Sequence, residues 1–217
     1  MASSGTYAYA PDNADLITEA FERCLVDPAT LGSRHFKSAM TSINLLFSYW
    51  ATKGVLLFAV DEQTQTVTDG LASYTAASGT LQILHGVIRR SGVDTPVHNM
   101  TREQYHAIPD KTAEGLPTQV WLDRRTGTYY LHHVPENSTD VFRYYRLRRL
   151  QDAGAGQDTP DLPYRWFEAM VSGLAEFLSL KFAPARHDTL KGLAADRLND
   201  ALGSDYERGD TSFGVRV

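Results

Sequence analysis

One stretch, Asp158 to Arg186, limits what the rest of the chain can be. It reads DTPDLPYRWFEAMVSGLAEFLSLKFAPAR. Asp161 is placed to cap a helix. Pro163 suits the first turn, where its missing N–H would go unpaired in any case. Trp166, Phe167, Met170, Val171, Leu174, Phe177 and Leu178 then recur at three- and four-residue steps, which is a broad apolar stripe on a helix. Pro184 ends that helix and fits the first turn of another, predicted to run to Leu202 with Gly203 after it. Such a hairpin must bury its face against something.

The N-terminal segment offers a partner. Asn13 can cap a helix to about Leu25 with Leu16, Ile17, Ala20, Phe21 and Cys24 on one face. A second helix is predicted from Ser33, with Phe36, Ala39, Met40, Ile43, Leu46, Phe47 and Trp50 at helical steps and Gly54 at its end. From Val55 the period changes. Val55–Val60, Ser73–Thr75, Leu81–Ile88, Gln119–Asp123, Thr128–Val134 and Asp140–Leu150 read as strands, Thr64–Thr68 alternates polar and β-branched residues, and Thr95–His98 is extended chain. Thr101 with Gln104 has the form of a capping box for a short helix to Ile108. Gln151–Thr159 is a glycine-containing linker.

The expected fold is therefore α+β: a four-helix bundle of N- and C-terminal helical hairpins, with an inserted antiparallel β-sandwich or barrel-like domain and an extended C-terminal tail. The expected divisions are 1–54 (arm and hairpin), 55–157 (β domain), 158–203 (second hairpin) and 204–217 (tail).

With 217 residues the chain can bury a real core, and a formal charge of −5 argues against non-specific grip on nucleic acid. Cys24 is the single cysteine, so no internal disulfide or multi-thiolate metal site can form within one chain. The opening residues carry neither a basic start nor an apolar run, so no signal peptide is expected. No stretch approaches the roughly 20 apolar residues of a membrane span. A soluble protein made in the cytosol is expected.

Catalytic signatures fail one by one. There is no phosphate-binding glycine loop, no GxGxxG, no GxSxG and no HExxH. His132 and His133 adjoin on a predicted strand, which would point them to opposite faces. Cys24 sits on the apolar face of its helix, as a core thiol does. Asp61, Glu62 and Asp69 fall near a turn, where carboxylates are simply solvated. No cofactor is expected.

The most unusual local chemistry is the strand VFRYYRLRRL. Alternation puts Arg143, Tyr145 and Arg149 on one face, and Tyr144, Arg146 and Arg148 on the other. Three readings stay open: a solvated sheet face, a subunit interface rich in Arg and Tyr, and a nucleic-acid contact.

Several segments taken together resemble one family. Tyr145-x-Leu147-Arg148-x-Leu150-x-Asp152-Ala153-Gly154 is followed by Thr159-Pro160-Asp161-Leu162-Pro163-Tyr164-Arg165. Gly173-Leu174-Ala175 comes next, and then Leu180-Lys181-x-Ala183-Pro184-x-Arg186. Earlier stretches agree: Ala20-Phe21-Glu22-Arg23-Cys24, Ser42-Ile43-Asn44-Leu45-Leu46 with Trp50, and Ile108-Pro109-x-Lys111 with Gly115-x-Pro117. In this order they resemble the head-to-tail adaptor proteins of short-tailed bacteriophages, also called tail tubular protein A or neck proteins. The chain departs at Leu25, where the resemblance implies glycine after the cysteine.

The resemblance implies a non-enzymatic virion protein, made in the host cytoplasm and built into the head–tail connector. It implies a ring, usually of twelve copies, docked under the portal protein and carrying the tail nozzle protein. Double-stranded DNA would pass through its channel without sequence-specific contact, and no membrane is involved. The helical part would form the ring wall, the β part would face the tail, and the C-terminal tail would reach the portal. Phe213, Val215, Arg216 and Val217 are the expected portal-binding residues, because alternate apolar positions suit strand addition to a partner's edge; a loose end is the other reading. Arg143, Tyr145, Arg146, Arg148 and Arg149 are the expected subunit interface. The rival functions are a DNA-binding module using residues 143–149 and a hydrolase built from the carboxylates and histidines of the β unit.

Overall fold

The computed structural model describes residues 5–53 and 56–205. Its helices are α1 (Asn13–Arg23), α2 (Ser33–Trp50), α3 (Arg102–Ala107), α4 (Phe167–Phe182) and α5 (His187–Ser204). Its strands are β1 (Val60–Thr66), β2 (Ser73–Thr75), β3 (Thr80–Arg90), β4 (Val93–Asn99), β5 (Glu114–Gly115), β6 (Gln119–Asp123), β7 (Thr128–His132), β8 (Val134–Pro135) and β9 (Val141–Arg148). The chain divides into two units. One combines the residues up to Phe58 with those from Leu150 onward; the other is Ala59–Arg149.

In the first unit α4 is the centre. Trp166 precedes it, and the helix buries Phe167, Met170, Val171, Leu174 and Leu178 together with Ala169, Ser172, Gly173, Ala175 and Ser179. A helix apolar on nearly every side belongs inside. The small residues let neighbours approach closely: a Cβ on Gly173 would lie 3.0 Å from Leu46 Cδ1. α1, α2 and α5 each pack on α4, while α1 and α2 barely touch one another. The expected bundle of two helical hairpins is therefore wrong. One central helix is flanked by three, because the wide burial of α4 leaves no single face for a hairpin to cover. Trp50 of α2 meets Trp166 at 5.2 Å between ring centroids, so both ends of the chain share one core.

Some local expectations also shift. Asp12, not Asn13, caps α1 by accepting from Asp15 N–H. Asp161 does not cap α4. A 3-10 turn, Tyr164–Trp166, leads into that helix, and Asp161 accepts from Gln151 N–H. The apolar run at 55–60 is not a strand: Leu57–Ala59 is a 3-10 turn, and the strand starts at Val60.

The second unit is a mixed sheet in the order β1-β9-β3-β4-β6-β7-β2, with β5 and β8 paired separately. It is not the all-antiparallel sandwich expected, since β4 runs parallel to β6 and β5 parallel to β8. Two register shifts in β3 against β9 mark bulges, which increase local twist. The sheet curls on itself. Tyr129 of β7 lies 5.6 Å from both Phe142 and Tyr144 of β9, although three strands separate β7 from β9 in the sheet. The enclosed core holds Ile83, Ile88, Val97, Val120, Leu131 and these rings.

Candidate interaction surfaces

β9 lies between β1 and β3, so its side chains meet neighbours on both flanks. Arg146 is the most committed of its arginines. Its side chain is only 8% exposed. Nε donates to Asp61 Oδ1 at 2.6 Å, and Nη1 donates to Ala77 O, Ser78 O and Thr80 Oγ1. Partial burial pushes the Asp61 carboxyl up, but the Arg146 hydrogen bonds and charge outweigh it and hold that carboxyl below the usual range. Arg148 approaches the same carboxylate at 3.7 Å. A guanidinium enclosed in this way ties β9 to β1 and to the turn before β3.

The remaining members lie elsewhere. Arg143 is half-buried and donates to Glu62 at 2.8 Å. Tyr145 is exposed and stacks on His85 at 4.9 Å. Arg149 is exposed, and its N–H donates to Gly79 O. Strict alternation fails at the end of the strand, where Arg146 and Leu147 are both buried. Of the expected interface residues, Tyr145 and Arg149 are thus presented outward, while Arg146 serves its own unit. The arginine–carboxylate pairing also bears on the nucleic-acid reading, because phosphate contact calls on cations that Asp61 and Glu62 already engage. The expected portal-binding residues Phe213, Val215, Arg216 and Val217 lie outside the described residues.

The histidine expectation is overturned. β7 ends at His132, so period two does not extend to His133, and the two rings stack at 4.4 Å. Burial and the adjacent His133 hold His132 below the usual imidazole range, against the pull of Asp110. Among the described residues no group of three His, Cys, Asp or Glu side chains is placed to hold a metal. Asp61 and Glu62 lie within β1 rather than at a turn. Cys24 is buried, its thiol donates to Ala175 O at 3.4 Å, and burial pushes its pKa up.

The motif residues meet in space. Ser42 on α2 accepts from Lys181 Nζ at 2.8 Å. Asn44 accepts from Ala153 N–H at 3.0 Å. Leu46 packs where a Gly173 side chain would begin. Gly154 has φ +67°, and the Asp158 carboxylate, which accepts from Ala155 N–H, fills the space beside it. Asn13, fully buried, donates to both Ala153 O and Ala155 O. In the sheet unit Lys111 donates to His106 O and Ile108 O, closing the end of α3. The capping box of Thr101 and Gln104 opens that helix.

Compared with known protein families and with curated proteins, the chain matches none.

Proposed function

We propose that the chain is a structural connector: a head-to-tail adaptor of a short-tailed bacteriophage that closes into a ring, docks under the portal and carries the tail nozzle. One observation supports this reading above all. The segments carrying the resemblance are far apart in sequence, yet Ser42, Asn44 and Leu46 touch Lys181, Ala153 and Gly173 in turn. Their roles are packing and hydrogen bonding, which is what a shared architecture requires of a set of motifs. A ring of identical subunits needs two different complementary surfaces on each copy. The exposed side of β9 around Tyr145 and Arg149 is offered as one of them, and the C-terminal residues Phe213, Val215, Arg216 and Val217 as the contact with the portal. DNA would pass through the channel without sequence readout.

The test is native mass spectrometry of the purified protein, alone and with the portal protein of a short-tailed bacteriophage. A closed oligomer near twelve copies that binds the portal is expected. A monomer that leaves the portal untouched would overturn the reading. Charge reversal at Arg146 is unsuitable for locating the interface, since it would break the sheet itself. Tyr145→Asp is the better probe: ring yield should fall several-fold, and undiminished yield would remove β9 from the interface.

A further inference from the structure

Three rings stand around one cleft in the helical unit. Tyr9 comes from the irregular segment before α1, Tyr164 from the 3-10 turn, and Phe167 from the first turn of α4. Their centroids are 6.3, 6.4 and 6.2 Å apart, with interplanar angles of 83°, 77° and 77°. All three line the same cleft of about 520 Å³. Phe167 is buried and forms the floor, while Tyr9 and Tyr164 are 67% and 74% exposed.

The three near-perpendicular rings meet edge to face and form an aromatic corner of this cleft, where a cation within ~6 Å of a ring centroid is attracted to the ring face. The cleft also carries carboxylates. Glu19 and Glu168 are held by Arg23, which donates to both. Arg165 is turned to the buried carboxylate of Asp205. Asp15 lines the cleft and its carboxylate makes no ion pair among the described residues. The local cations are thus engaged, and one carboxylate stands beside three aromatic rings.

We propose that this corner receives a cationic side chain, an arginine guanidinium, presented by a protein partner. The rings supply faces of negative quadrupole and Asp15 supplies the counter-charge. Arginine suits the corner better than lysine. Its plane stacks on a ring, and it is more weakly hydrated than an ammonium. A purely apolar ligand would leave Asp15 without a counter-charge and bury it at a cost.

The test uses the full chain and a pair of probes: acetyl-Gly-Arg-Gly-amide and the same peptide with citrulline, which is neutral and nearly isosteric. Binding is followed by saturation-transfer NMR over a concentration series. The arginine peptide should saturate, and the citrulline peptide should bind at least about tenfold more weakly. Tyr164→Ala should weaken the arginine peptide about tenfold, and Asp15→Asn about threefold. Tyr164→Phe should stay within about twofold, because the ring face and not the hydroxyl is used. Tyr164 and Asp15 are exposed, so these variants should keep the wild-type thermal midpoint, which circular dichroism checks. Equal affinity for the two peptides would overturn the proposal. So would no saturation by the arginine peptide, or full binding by a folded Tyr164→Ala chain.

Discussion

Leu25 has φ +59°, a left-handed conformation that glycine adopts freely and leucine does not. It follows α1 at the place where helices favour glycine, and its side chain is 76% exposed, so the strain is not repaid by burial. The one departure from the resembled family therefore falls where the backbone most wants the missing residue. Leu25→Gly should stabilise the protein by about 1 kcal/mol, read from urea unfolding at constant m-value. An unchanged or lower midpoint would contradict the geometry. His132 gives a second test. Its pKa is held down by burial and by His133, so the unfolded chain binds a proton that the folded chain refuses. Stability is then full above about pH 6.5 and falls as pH drops through the window below it. Urea midpoints at pH 7.5 and 5.5 should differ in that direction, and His132→Gln should reduce the difference. The sequence shows the missing glycine at Leu25 and the adjacent histidines, but not the geometry either adopts. A left-handed leucine and a stacked histidine pair arise from where the chain turns, and neither leaves a periodic trace.

At the scale of elements, periodicity was informative where one face is buried and misleading where burial is all round. The stripes of α1 and α2 were readable because their other faces are polar. On α4 the large residues marked one stripe, but Ala169, Ser172, Gly173 and Ala175 also face neighbours. Small residues look neutral in a sequence, so the helix read as one arm of a hairpin rather than a hub. The run before Val60 misled for a related reason. Leu56 and Phe58 belong to the helical unit and do not pair in a sheet; Phe58 packs on Trp166 at 5.1 Å. In the sequence Asn13 looks like a cap, since its true partners, the carbonyls of Ala153 and Ala155, lie 140 and 142 residues away. Asn13→Ala leaves the buried Ala153 carbonyl without that donor and removes the part-buried bond to Ala155 O. It should cost about 2 kcal/mol, measured by thermal unfolding, and a neutral outcome would remove this lock from the account. In the sheet, a Cβ on Gly86 would meet Phe142 Cε2 at 2.7 Å and Tyr144 Cβ at 3.0 Å. Gly86→Ala should therefore destabilise by about 2 kcal/mol through overpacking of the curled core. The aromatic corner of Tyr9, Tyr164 and Phe167 had no signal at all, because its rings come from an irregular segment, a short turn and a helix start.

For the whole molecule, the chain leaves a helical unit, builds a sheet unit, and returns to finish the same helical core. The α+β class and an inserted sheet were foreseen from the change of period near residue 55. The three-around-one helix packing and the mixed sheet were not, because both depend on contacts between distant segments. A protein organised this way owes its motifs to architecture: Ser42 with Lys181, Asn44 with Ala153 and Leu46 with Gly173 fasten the two ends of the chain together. That is the physical basis for proposing a connector rather than a catalyst. The most direct measurement of the proposed connector role is a cryo-EM map of the portal vertex in short-tailed phage particles assembled with this chain. The account predicts a closed ring beneath the portal into which this fold can be built, one copy per ring subunit. A portal vertex filled by other chains, with this protein absent from the connector, would contradict it.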